Sequence, residues 1–364
     1  MGRHSKESLT ETISKAISTG FDLESFKKSK YLDKGVKFKE QKYIPLSPAL
    51  QKALSISGIP MGHISLLRGH SDTGKTAALL EAAVNAQKMG ILPIFIITEM
   101  KWSWEHALQM GFELEEVKDG DGTIVDYKGF FLYIDRSSIQ TIEDVSGFIT
   151  DILNEQSKGK LPYDLLFLWD SVGSIPCQMS IEQGKNNPMW NAGAMATQFG
   201  NFVNQRFPLS RKENQTYTNT LLCVNKVGVQ PAENMFSQPK MTNKGGSAMF
   251  WDSTIVITFG NVTNSGTSKI KATKNGKEVE FAKRTKVSCD KNHITGLQTK
   301  GTVIMTVHGF IDDDKKAIDN YKKEHSKEWL PILGSTDFEL VEDNSDWEES
   351  KNISLIALEE EVNE

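Results

Sequence analysis

The sequence predicts an α/β fold: a mainly parallel central sheet with helices on both faces and an antiparallel extension at one edge. Three observations lead there. Between Ile64 and Phe259, short apolar runs alternate with longer polar, helix-like stretches, the rhythm of strands joined by crossover helices. The runs are nearly continuous in hydrophobicity rather than alternating, as strands buried on both faces require. One run leads straight into a glycine-rich loop and then a helix, the order of a phosphate-binding element.

Taken along the chain, residues Lys6 to Ser29 read as one or two polar helices whose narrow apolar stripe, Ile13, Ala16 and Ile17, calls for a partner. The expected strands are ISLLRG from 64, PIFIIT from 93, FFLYID from 130, DLLFLWD from 164, TLLCVN from 220 and STIVITFG from 253. Two further runs, RTKVSCDK from 284 and GTVIMTVHG from 301, are linked too briefly for a helical crossover and are assigned to the antiparallel edge. Asp312 to Trp329 is charged and helix-like, and an acidic tail follows Leu333.

A chain of 364 residues, 38% hydrophobic and 24% charged, has the composition of a globular protein large enough for an enzyme. It contains no apolar stretch near the roughly 20 residues that cross a bilayer, so no membrane span is expected. The N-terminus lacks an apolar signal core, and Lys6 stands where a myristoylation signal has Ser or Thr. Cys177, Cys223 and Cys289 are too scattered for a disulfide framework, which points to a reducing cytoplasm. The seven histidines form no zinc-binding spacing, leaving Mg²⁺ with nucleotide as the expected metal. Gly334 to Glu364 carries eleven Asp or Glu against one Lys, a charge of −10 in a chain of −5, so the remainder is at +5. The body can therefore attract a polyanion for which the tail competes; equally, the tail can be a merely solvated segment.

The chemistry is concentrated in GHSDTGKT, which satisfies GxxxxGK[ST]. Gly69 and Gly74 let the backbone N–H groups of His70, Ser71, Asp72 and Thr73 turn toward phosphate oxygens. Lys75 supplies a charge and Thr76 a hydroxyl for Mg²⁺, while the helix from Ala77 to Lys88 adds its N-terminal dipole. The ligand this predicts is ATP or a close relative. LLFLWDS ends an apolar strand in Asp170, suited to the Mg²⁺ shell. Glu99 ends the strand after the phosphate-loop helix and reads either as a water-activating base or as a strand-end acid capping the next helix. The long stretch from Asn225 to Gly246 has neither period, and it carries Lys226, Phe236, Lys240, Lys244 and the Gly245-Gly246 pair. Both contact with single-stranded nucleic acid and plain disorder fit that composition, and Ser180 to Trp190 is similar.

From about Ile44 to Ile311 the ordered set of signatures resembles the RecA/UvsX family of strand-exchange recombinases. It comprises LSPALQKALSISGIPMGHISLLRGHSDTGKT, TEMKWSWEHALQMGF, the strand ending in Asp170, a first irregular loop, the strand reaching Asn225, a second loop closed by GGSAMFWDSTI, and KVSCDKNHI. The resemblance implies a RecA-like nucleotide-binding core over residues 44–311 with two DNA-binding loops. An N-terminal oligomerisation segment would span 1–43, a short helical segment 312–333 and an acidic tail 334–364. It implies phosphate and Mg²⁺ roles for Lys75 and Thr76, a metal role for Asp170, a water-activating role for Glu99 and stacking of His106 on adenine. Lys291 would reach the γ-phosphate in a neighbouring protomer, and Lys226 would sense the γ-phosphate. Met189 lies within the first DNA loop, and Phe236, Lys240, Lys244, Gly245 and Gly246 within the second.

The expected activity is ATP hydrolysis stimulated by single-stranded DNA, in a helical filament that pairs it with double-stranded DNA. Single-strand-binding and loader proteins are further expected partners. Three positions depart from the bacterial pattern: Lys226 replaces a glutamine, His293 a second inter-subunit lysine, and Ala194 an arginine. The pattern leans toward the phage-type branch. A replicative helicase on the same fold and a non-catalytic, ATP-binding recombination mediator are the alternatives.

Overall fold

The computed structural model describes residues 40–183, 197–198, 200–202, 216–230, 240–244, 247–262, 268–274, 276–335 and 342–343, with backbone alone at 183, 229, 230, 240, 241, 342 and 343. The chain divides into a unit Met1–Gln41 and a unit Lys42–Glu364, and the fold is that of the second. It opens with β1 (Tyr43–Ile44), α1 (Pro48–Leu54), β2 (Ile59–Pro60), β3 (Ile64–Gly69), α2 (Lys75–Lys88), β4 (Leu92–Ile97) and α3 (Trp104–Gln109). A hairpin of β5 (Glu115–Lys118) and β6 (Ile124–Lys128) precedes β7 (Leu132–Asp135), α4 (Ile142–Ser157), β8 (Leu165–Asp170) and α5 (Gln178–Gln183). Then come β9 (Asn219–Gln230), β10 (Lys240–Asn243), α6 (Ala248–Asp252), β11 (Ile255–Asn261), β12 (Lys269–Lys274) and β13 (Lys277–Asn292). The last elements are β14 (Lys300–Thr306), β15 (Gly309–Asp312), α7 (Lys315–Glu324), α8 (Ser326–Trp329) and β16 (Glu342–Asp343).

The main sheet runs β15-β14-β13-β11-β3-β9-β8-β4-β7. Pairing is parallel from β11 to β7 and antiparallel from β11 through β13 and β14 to β15, as the apolar runs and short links predict. Every residue of β4 and β8 is buried, because apolar layers cover both faces. On one face, Leu79, Ala83 and Ala86 of α2 pack with Leu50 and Leu54 of α1 against Leu67, Phe95 and Leu168. On the other, Val145 and Ile149 of α4 meet Leu66, Ile94, Phe167 and Trp169. A third cluster seats α7 and α8 on the antiparallel edge through Ile318, Tyr321, Trp329, Ile304 and Phe281. Among the described residues, no helix is long and apolar enough to cross a membrane.

Three differences from the sequence expectation have physical causes. The stretch from Asn225 to Gly246 is not one irregular loop, since β9 continues to Gln230 and β10 returns antiparallel, pairing Lys240 with Gln230 and Asn243 with Val227. Backbone pairing supplies an order that no side-chain period announces. Strand β12 and the β5–β6 hairpin lack apolar runs. The first is held by cross-strand ion pairs, Lys269 to Glu280 and Lys271 to Glu278, both 2.7 Å. The hairpin turns at Asp119, whose Oδ1 accepts from the N–H groups of Asp121 and Thr123. Finally, Glu342–Asp343 of the acidic tail pair antiparallel with Ala272 and Thr273.

Candidate nucleotide site

Strands β3, β9, β8 and β4 are consecutive neighbours, and their carboxyl ends open on one edge, where parallel α/β sheets hold their ligands. From β3 the chain turns through Asp72 (φ 59°) and Gly74 (φ 99°) into α2, whose N-cap Gly74 offers no side-chain hydrogen bond. Glycine is required here for packing as well as for conformation. A Cβ at Gly69 would stand 2.0 Å from the carbonyl oxygen of Phe259, and one at Gly74 would stand 2.8 Å from the Phe310 ring and 2.9 Å from Met305 Sδ. Strand β11 and the β14–β15 hairpin thus press on the loop from outside. Inside, Thr73 Oγ1 donates to the His70 carbonyl at 2.8 Å, and the Lys75 ammonium donates to the same oxygen. Lys75 is buried, and that burial depresses its pKa although Asp170 and Glu99 pull the other way.

Thr76, in the first turn of α2, donates to Asp170 Oδ2 at 2.7 Å. Burial pushes the Asp170 carboxyl up to about 6, only partly offset by the Thr76 hydrogen bond. Two residues beyond the end of β4, Glu99 Oε1 accepts from Ser171 at 2.6 Å and Ser174 at 3.2 Å, while Oε2 pairs with Lys226 Nζ at 3.0 Å. Burial raises the Glu99 pKa, but Ser171, Lys226 and Ser174 together outweigh it, so the group lies below the ordinary glutamate value. Helix α3 is capped by Ser103, whose side chain accepts from the His106 N–H. The capping alternative for Glu99 therefore falls.

Lys226 faces Gly69 in the β3–β9 register. Its carbonyl accepts from the Lys244 N–H at 3.0 Å, and the Lys244 carbonyl accepts from Asn225 Nδ2 at 3.0 Å. The base of the β9–β10 hairpin is thereby one hydrogen bond from the Glu99 partner. His106 lies on α3, its pKa lowered by burial and by the nearby His308 imidazole. Lys291 is not brought to this edge: its ammonium donates to the Phe250 carbonyl at 3.2 Å and to that of Trp251, at the end of α6. Met189, Ala194, Phe236, Gly245 and Gly246 lie outside the described residues, and Lys240 is described by backbone alone.

Sequence reading overlooked Ser171 and Ser174, which orient Glu99, and Arg68. The Arg68 guanidinium donates to Thr258 Oγ1 at 2.8 Å and pairs with Asp290 at 2.7 Å, and it lies 4.6 Å from the Phe250 ring centre. It links the phosphate-loop strand to β11, to α6 and to the strand that carries Lys291. An arginine inside an otherwise apolar strand, ISLLRG, is the signal that announces such a link.

These residues can hold a magnesium nucleotide. The buried Lys75 ammonium bonds an oxygen of its own loop, the uncapped helix start is suited to phosphate, and the Thr76–Asp170 pair offers hard oxygen donors.

No family model matches the chain. Local similarity is found to Protein RecA of Clavibacter michiganensis subsp. michiganensis, 38% identical over 69 residues, which is 19% of this chain and 19% of that protein. Protein RecA of Arthrobacter sp. is 36% identical over 69 residues, and that of Acidothermus cellulolyticus 37% over 71 residues, or 20% of this chain and 21% of that protein. The match thus spans about a fifth of the length of these relatives. Over that fifth the chain is RecA-like in sequence, and its α/β sheet is compatible with a RecA-like core.

Proposed function

We propose that the chain is a DNA-stimulated ATPase that assembles on single-stranded DNA as a helical filament and promotes homologous pairing and strand exchange. The observation that supports it most is the meeting of Lys75, Thr76, Asp170, Glu99 and Lys226 at the ends of four consecutive parallel strands. Lys75 and the uncapped start of α2 would hold the β- and γ-phosphates. Thr76 and Asp170 would hold Mg²⁺, which when bound neutralises charge on the transferring phosphoryl group. Glu99, ionised and aimed by Ser171 and Ser174, would orient water and take its proton. His106 would stack on the base.

Lys226 would sense the γ-phosphate by exchanging Glu99 for it and would pass the change to Lys244 through the β9–β10 pairing. Met189, Phe236, Lys240, Lys244, Gly245 and Gly246 would contact DNA. Lys291, turned away from this chain's own loop, would complete a neighbour's site, with residues 1–43 joining protomers and the acidic tail moderating DNA access. Three buried, free cysteines suit a reducing cytoplasm.

ATP turnover with and without single-stranded DNA, across protein concentrations, tests this reading. The expectation is DNA-stimulated turnover that rises cooperatively with protein. DNA-independent turnover proportional to protein would refute it.

A further inference from the structure

The histidines, spaced in sequence as if unrelated, do not remain so in the fold. His308 sits at the tip of the β14–β15 turn, His325 joins α7 to α8, and Glu328 lies one turn into α8. Their ligand atoms, one from each, all fall within 4.8 Å of one another. His308 Nε2 is 3.5 Å and His325 Nδ1 is 2.9 Å from the same oxygen, Glu328 Oε1, so two imidazole nitrogens converge on one carboxylate. No spacing in the sequence announces this convergence, because the donors come from two elements that only tertiary packing joins.

The two imidazole rings stack with centroids 3.9 Å apart at 22°, so one of them must rotate to bring its in-plane lone pair onto a shared ion. His308 Nδ1 lies 2.9 Å from Tyr321 Oη; with Nδ1–H donating to the phenol, Nε2 keeps its lone pair facing Glu328. Each donor stands on a rigid support. The turn holding His308 is tied by Thr306 Oγ1, which accepts from the His308 N–H at 3.1 Å and donates to the Gly309 carbonyl at 2.9 Å. The His325 N–H donates to the Tyr321 carbonyl, the Glu328 N–H to the His325 carbonyl, and Tyr321 and Trp329 are buried in the third core cluster. Glu328 itself is exposed and can draw back to make room for an ion at the roughly 2.0–2.2 Å typical of zinc–nitrogen and zinc–oxygen bonds.

We infer that His308, His325 and Glu328 form a binding site for a transition-metal dication, zinc foremost, which clamps α7–α8 to the β14–β15 turn. The ion would replace the hydrogen shared between His325 Nδ1 and Glu328 Oε1, with His325 shifting to its Nε2–H tautomer, and water would fill the fourth position. Two imidazoles and a carboxylate prefer zinc, cobalt or nickel over magnesium, so the site is chemically separate from the Thr76–Asp170 pair. The clamp has a reason to matter locally, since Phe310 and Met305 of the same hairpin pack against Gly74 of the phosphate loop.

The experiment is titration of the untagged full chain with Co²⁺ and with Zn²⁺ in excess Mg²⁺, which occupies the hard oxygen site, followed by visible absorption and calorimetry. Free cysteines do not compete, since all three are buried. The expected result is one saturable ion per chain with cobalt d–d bands that zinc abolishes. His308→Ala and His325→Ala should each weaken binding by more than about 100-fold, and Tyr321→Phe, a supporting residue, by about 10-fold. Zinc should raise the Tm of the parent and of a Lys75→Ala control, but not of Glu328→Gln. Absence of saturable binding, or binding indifferent to the two histidine variants while their metal-free Tm matches the parent, would overturn the inference.

Discussion

Asp170 shows how a single residue can be poorly placed for stability and well placed for a ligand. Its pKa of about 6 in the folded state lies above the ordinary aspartate value of 3.8, so the folded protein holds this proton more tightly than the unfolded chain. Stability contributed here is greatest below about pH 4 and falls as pH rises through about 6, at a cost approaching roughly 3 kcal/mol at neutral pH. A divalent cation bound at Asp170 would remove that cost. Asp170→Asn should therefore stabilise the nucleotide-free protein at pH 7.5 by about 1–3 kcal/mol in urea denaturation, with the gain vanishing near pH 4. The same variant should lose stabilisation by Mg²⁺ and ATP, and nucleotide affinity in the parent should rise with pH through about 6. An unchanged urea midpoint at pH 7.5 would contradict the assignment. Glu99 is the complementary case, held ionised by two hydroxyls and an ammonium. Glu99→Gln should keep nucleotide binding and lose turnover by about 10²- to 10⁴-fold. Parental turnover in that variant would remove the catalytic role.

Elements matter through what they press against the phosphate loop. The loop's glycines are explained by neighbours distant in sequence, the Phe259 carbonyl on β11 and the Phe310 and Met305 side chains on the β14–β15 hairpin. The motif GHSDTGKT was legible because each residue type follows from phosphate chemistry, and the strand and helix around it because of their apolar runs. The hairpin's role was not legible, since the contact joins residues more than 200 positions apart. The same holds for Arg68, whose partners Thr258, Asp290 and Phe250 come from three other elements. Arg68→Ala would leave the Asp290 carboxylate, largely screened from water, without its cation and should cost about 2 kcal/mol in chemical denaturation. A cost below experimental error would mean that the network is ornamental.

At the scale of the whole molecule, the position of Lys291 sets up a test of whether one chain can act alone. Its ammonium is engaged at the end of α6, apart from the edge where Lys75, Asp170 and Glu99 meet. If the neighbour's site needs it, inactive Lys75→Ala and Lys291→Ala proteins should complement each other when mixed. About a quarter of the interfaces in a random equal mixture would then carry both lysines. No recovery in the mixture would favour a self-contained site. The acidic tail offers a second test at this scale. Ser335 is buried, and its hydroxyl accepts from Lys274 at 2.6 Å, so the informative truncation lies after Ser335 rather than after Leu333. Removing the residues beyond it should tighten binding to single-stranded DNA and steepen its salt dependence, and unchanged affinity and slope would exclude the tail as a competitor.

By itself, the sequence determined the α/β class, the mainly parallel pairing implied by buried apolar runs, the antiparallel edge and the GHSDTGKT loop between strand and helix, because each is written in local periodicity or in a contiguous motif. Tertiary structure alone decided which carboxylate accepts from Thr76, that Lys226 neutralises Glu99, that β9 and β10 continue as a hairpin, and that His308 meets His325 and Glu328. Those outcomes depend on hydrogen bonds and charges between distant segments, whose geometry is set only when the strands have found their neighbours.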